Sequence, residues 1–156
     1  MPNYCTGPLK IRGKKENVLK YMNECIAGYS YAIGEYNDLI VTKKDVPAQA
    51  GYILSDGCLK GAQRCFAQCQ PELIELDEDN DSIIVMINKI DCAWVFDIEG
   101  FKRLSAKYEI NFKFFGFESG MEFNLDVEII NGVVIKAEEI TFENYRWECL
   151  YPTFGG

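Results

Sequence analysis

Alternation of apolar and polar residues is strongest in the second half of the chain. Phe123, Leu125, Val127 and Ile129 alternate with Glu122, Asn124, Asp126 and Glu128. That period of two marks a strand with one buried and one solvated face. Ile110, Phe112 and Phe114 alternate with Asn111 and Lys113 in the same way, and Ser119-Gly120 turns the chain between the two segments. Asn131-Gly132 favours a tight type I′ hairpin, after which Val133–Phe142 returns as a strand. Upstream, Leu73, Ile74 and Leu76 lead into the polar turn 77–81, and Ile83–Ile87 follows as an unbroken apolar run. Such a run predicts a strand covered on both faces and central in its sheet. Asp97 is an N-cap for a helix carrying Ile98, Phe101, Leu104, Ser105 and Tyr108 on one side.

The first half is less regular. Leu9 and Ile11 alternate with Lys10 and Arg12 in a short strand closed by Gly13. Val18, Met22, Cys25 and Ile26 then fall at helical spacing over 14–27, with Gly28 as the stop. Residues 29–70 read as an irregular insertion decorating the core. Within it a short strand is expected at 39–42 and a helix at 59–70, ended by Pro71. The expected fold is one α+β domain over 1–156, a ferredoxin-like two-layer sandwich with an antiparallel or mixed sheet and helices on one face.

Composition narrows the chemistry. The 156 residues include seven Cys and no His, so no Ser–His or Cys–His pair can form within the chain. The cysteines include no CxxC pair and are expected as free thiols. Cys65 and Cys69 would stand one helical turn apart, a spacing that argues for buried thiols rather than a metal knuckle; no metal and no cofactor is expected. The opening segment lacks a basic-then-apolar leader, and no apolar run approaches the roughly 20 residues of a membrane helix, so a cytoplasmic protein without membrane contact is expected.

Met1-Pro2-Asn3-Tyr4-Cys5 followed by Leu9–Gly13 resembles the opening of plasmid- and phage-borne proteins with a YubB-type ferredoxin-like domain. A second block resembles the same family: Trp94, a helix with Phe101, Leu104 and Ser105, a Phe-rich strand, and Glu118-Ser119-Gly120. Together the resemblance covers the first 27 residues and residues 83–135. It implies a ferredoxin-like fold and a mobile-element origin, and it implies no catalytic residues.

Charge changes the picture most. There are 24 Asp and Glu against 16 Lys and Arg, a net −8. Residues 72–81 carry six acidic side chains and no basic one, and residues 117–144 carry seven against Lys136 alone; outside these segments the chain sums to +4. Direct phosphate-backbone binding is disfavoured. Glu122, Asp126 and Glu128 are expected on one strand face at intervals of about 6.6–6.8 Å. Such a row could imitate nucleic-acid phosphates and bind a basic surface on a host protein. The candidate contacts are Glu122, Asp126, Glu128, Glu138 and Glu139, with Asp77, Glu78, Asp79 and Asp81 as a second patch. The competing explanation is a solvated sheet face kept charged for solubility and edge protection. The acidic turn lacks the internal Gly and terminal Glu of a calcium loop. Phe115 and Phe117 fall on the face away from the core, where, if exposed, they are expected to bind protein rather than stack RNA bases, since the surrounding carboxylates repel RNA; the aromatic C-terminus (Trp147, Leu150, Tyr151, Phe154) either closes over the open face or adds a contact. Two further readings remain: a small ligand-binding or enzymatic domain built on the Tyr-rich 29–70 region, and a self-associating homodimer.

Overall fold

A computed structural model describes residues 2–44 and 57–156. The strands are β1 (Tyr4–Lys14), β2 (Tyr29–Ile33), β3 (Leu39–Lys43), β4 (Cys65–Ala67), β5 (Glu72–Asp77), β6 (Ser82–Ala93), β7 (Ile110–Glu118), β8 (Phe123–Ile130) and β9 (Val133–Thr141). Among the described residues they are accompanied by α1 (Lys15–Cys25), α2 (Ile98–Tyr108) and the single turn α3 (Tyr145–Glu148). Seven strands form one antiparallel sheet in the order β4-β6-β1-β7-β8-β9, with β5 also pairing β6; β2 and β3 make a separate hairpin.

This corrects the expected ferredoxin-like α+β sandwich. Strand accounts for 50% of the described residues and helix for 18%. A ferredoxin-like βαβ unit needs a crossover that returns the second strand to the same sheet beside the first. Here the strand after α1 turns back on β3 instead, and β1 receives both of its partners from the second half of the chain. The fold is β-rich, with two 11-residue helices against part of one sheet face.

Alternation decides which side chains meet those helices. Leu9, Ile11, Val85, Ile87, Phe112, Phe114, Val127 and Ile129 all lie on the helix side and are buried. Phe96 stacks between Phe101 and Phe114 at 4.3 Å from each, and Tyr21 meets Phe112 and Tyr108 edge-on at 5.3 and 5.6 Å. Offset and edge contacts of this kind add about 0.5–1.5 kcal/mol each beyond area burial. Asp97 caps α2 as expected: one carboxylate oxygen accepts from the Gly100 amide at 3.0 Å and the other from the Gln63 amide at 2.8 Å. Ser105, fully buried on α2, donates to the Ile110 carbonyl at 2.6 Å and accepts the Gly132 amide at 2.8 Å. One hydroxyl thus ties α2 to the start of β7 and to the β8–β9 turn. That turn has Asn131 at φ 47° and Gly132 at φ 74°. Both left-handed positions are what a type I′ hairpin requires.

The expected helix at 59–70 is absent. Those residues make turns and β4, because Cys65–Ala67 finds backbone partners on β6 at Cys92, Asp91 and Ile90. The short first strand proves to be eleven residues long. Pro8 sits inside it beside a bulge, where β6 carries one extra residue between Ile87 and Ile90. A proline is tolerated there because the ladder does not need its missing N–H. Tyr52 of the Tyr-rich region lies outside the described residues.

Candidate functional site

The sheet face opposite α1 and α2 carries the charged side chains. Following one cross-strand register from edge to edge, it presents Glu72, Met86, Lys10, Lys113, Glu128 and Lys136. Lysines therefore occupy the central strands β1 and β7 and the β9 edge, with Glu72 at the opposite edge and Glu128 between Lys113 and Lys136. The sheet order separates the two acidic patches: β5 leads into one, and β8 and β9 carry the other.

The β8–β9 patch is largely neutralised from within. Asp126 lies directly opposite Glu138, and the Lys136 ammonium bridges the pair, touching Asp126 and reaching Glu138 at 3.5 Å. Its hydrogen bond with Asp126 raises the Lys136 pKa above the ordinary lysine value. Glu128 stands between Lys113, at 4.0 Å, and Lys136 in register. Glu139 falls on the other face, opposite Leu125. Glu122 is in the turn before β8, at φ 60° and exposed, rather than in the strand row. Asn124, between them in the sequence, is buried beneath the C-terminal segment: the Tyr145 hydroxyl donates to it at 3.2 Å and the Cys149 sulfur lies at 3.6 Å.

The β5–β6 hairpin is different. Asp77 organises the turn, accepting from the Asp79 and Asn80 amides and from the Asn80 side chain. These bonds, the Asn80 side chain first, lower its pKa below the usual aspartate value. Glu78 accepts from Asn37 at 2.8 Å, and Asp81 pairs with Lys15 at 3.3 Å. Among the described residues, Glu72, Glu75 and Asp79 have no side-chain partner and are exposed. A recess of about 220 Å³ lies beside the turn, lined by Lys15, Asn37, Leu76 and the three acids Asp77, Glu78 and Asp81.

The C-terminal residues cover the far end of the open face. Phe117 meets Tyr151 and Phe154 edge-on at 5.6 and 5.7 Å, Lys89 lies over the Phe154 ring, and the Gly156 amide donates to the Tyr4 carbonyl. The tail thus closes over part of the sheet at Phe117, which with its neighbour Phe115 is half-buried. It leaves Trp147, Leu150 and Tyr151 exposed on its outer side, near a recess of about 400 Å³ that includes Glu122 and Arg146.

Among the described residues, no three or more Cys, Asp or Glu are arranged to hold a metal ion, and no helix is long and apolar enough to cross a membrane. Cys65 and Cys69 are not on a helix: Cys65 is buried on β4 and Cys69 is exposed beyond it. Burial pushes the Cys5 thiol up to about 12 and the Cys92 thiol well above its ordinary value. Across the sheet, Cys5, Cys92 and Cys65 lie in one register row. Nothing in the sequence pattern signals that row, because it follows from strand pairing alone. Comparison of the chain with protein families, curated proteins and solved structures returns no match.

Proposed function

We propose that the protein is a non-enzymatic acidic interaction protein from a mobile genetic element, acting in the cytoplasm. In this reading it binds, and can inhibit, a host nucleic-acid-handling protein through that partner's basic surface. The mobile-element origin rests on the resemblance at 1–27 and 83–135. The observation that carries the binding reading is the state of the carboxylates on the two patches. On the open face of β8 and β9, Asp126, Glu128 and Glu138 are paired with Lys136 and Lys113, whereas the hairpin 72–81 holds six carboxylates, of which Asp81 pairs with Lys15. The hairpin is therefore the main contact, and the β8–β9 face is secondary.

The test is affinity capture from host lysate by the wild-type protein and by a Glu75→Lys/Glu78→Lys/Asp79→Lys variant, at low and high salt and with competing duplex DNA. The expected result is a captured nucleic-acid-binding protein that DNA displaces, with capture reduced about tenfold in the variant and weakened by salt. Equal capture by both proteins refutes the reading.

One observation favours a second reading, a ligand-binding site in the 29–70 region. Among the described residues the buried Tyr31 hydroxyl has no hydrogen-bond partner, and its side chain lines a recess of about 250 Å³ with Tyr29, Gln68 and Gln70. A small molecule that raises the melting temperature of the wild type but not of Tyr31→Phe would support it.

A further inference from the structure

Cys65 on β4 and Cys92 on β6 are directly opposite each other. Their backbone environment fixes the kind of pair they form. The Ala93 amide donates to Arg64 and the Gln68 amide to Lys89, so the pairs 64–93 and 68–89 are the hydrogen-bonded ones on this ladder. Alternation then makes 65–92 a non-hydrogen-bonded pair, the type whose Cα atoms lie about 4.5 Å apart with side chains closest. That spacing falls within the range spanned by a disulfide. The two sulfurs are 2.7 Å apart, roughly 0.7 Å longer than an S–S bond. On the other side of β6, Cys5 also faces Cys92, but there the Trp94 amide donates to Asn3, which makes 5–92 a hydrogen-bonded pair with a wider spacing of about 5.5 Å. Cys92 thus has two thiol neighbours, and the sheet brings Cys65 nearer.

We propose that Cys65 and Cys92 are a disulfide-forming site that reacts with low-molecular-weight disulfides such as oxidised glutathione. One protein thiolate attacks a glutathione sulfur, forming a mixed disulfide and releasing one glutathione. The second protein thiolate then attacks the protein sulfur of that mixed disulfide, forming the Cys65–Cys92 bond and releasing the other glutathione. The two thiol protons end on the two released glutathione molecules, and the two electrons reduce the glutathione disulfide. Access comes from the edge: β4 is three residues long and can detach locally without disturbing β1, β7 or β8. The product fastens β4 to β6. Cys58, Gly57 and Lys60 already exchange backbone bonds with Ala27 and Cys25, so the bond also secures the end of α1 through them.

The experiment uses the full chain with the exposed Cys69 replaced, Cys69→Ser, so that the assignment is unambiguous. The protein is refolded with equal concentrations of reduced and oxidised glutathione, trapped with an alkylating reagent and digested with trypsin without reduction. The expected result is a monomer in which peptide 65–89 is joined to peptide 90–102, about 2 Da lighter than the sum of the two. The oxidised form should melt several degrees above the reduced one. Alkylation of both Cys65 and Cys92 at equilibrium overturns the proposal, as does a bond from Cys92 to Cys5.

Discussion

Replacing Ser105 by Ala tests how one buried hydroxyl holds three elements together. The substitution removes a group that donates to the Ile110 carbonyl at 2.6 Å and accepts the Gly132 amide at 2.8 Å. Leaving a buried polar group unpaired costs about 1–3 kcal/mol. The Ile110 carbonyl belongs to a fully buried residue and takes the upper part of that range. Gly132 is half-buried, so water can reach its amide and its cost falls near the lower end. Against this, alanine gains about 0.5 kcal/mol of helix propensity over serine in the middle of α2. The net expectation is a loss of about 2–4 kcal/mol. For a domain of this size, 1 kcal/mol shifts the melting temperature by about 2–4 °C, so the melt should fall by roughly 5–15 °C. Urea denaturation is the assay: the midpoint should drop with an unchanged slope, and Ser105→Thr should recover part of the loss. A loss below about 0.5 kcal/mol at constant slope would show that the hydroxyl is not the joint described here.

Three other outcomes follow from the same geometry. Gly132→Ala should destabilise by about 1–3 kcal/mol in the same urea assay, because φ is 74° and the new Cβ would stand 2.7 Å from that of Ala106. Cys5 is protonated in the fold up to about 12 but only to 9.0 in the unfolded chain, so folding retains more protons and stability should fall as pH rises from 9 toward 12; Cys5→Ala should flatten that alkaline limb. Asp77 has a lowered pKa in the fold, so its contribution is present above the ordinary value of 3.8 and lost as pH falls below it. Asp77→Asn should remove that acid dependence and speed hydrogen exchange at the Asp79 and Asn80 amides.

The parts of the fold that were legible in the sequence are those where local pattern and tertiary partner agree. The β7–β8–β9 meander, its Asn131-Gly132 turn and the Asp97 cap are specified by residues close together in the chain. Residues 59–70 show the opposite case. Leu59, Ala62, Gln63 and Arg64 suit a helix, but Gly61 sits at φ 89° and Arg64 at φ 53°, and the backbone beyond them completes the edge of β6. A partner some 25 residues downstream overrides the local preference. The ferredoxin-like expectation failed for a related reason: periodicity marks a strand but does not say which strand it pairs with, and β2 took β3 rather than β1. The acidic row was half legible. Alternation correctly put Asp126 and Glu128 on one face. It could not show that register sets Lys136 and Lys113 against them, or that Glu122 falls in a turn.

The position of β1 has a consequence for how the chain comes to be folded. Both of its ladders are long-range: β6 begins at residue 82 and β7 ends at residue 118. During synthesis at about 5–20 residues per second, β1 therefore waits on the order of 4–16 s before β6 has even emerged, and longer for β7. Through that interval Leu9 and Ile11, which end wholly buried, lack the two strands that flank them in the sheet. Among the described strands β1 pairs β6 and β7, so its capture by the β5–β6 hairpin is the earliest sheet pairing open to it. Folding should accordingly be slow for a chain of this length, and most exposed to aggregation before that capture.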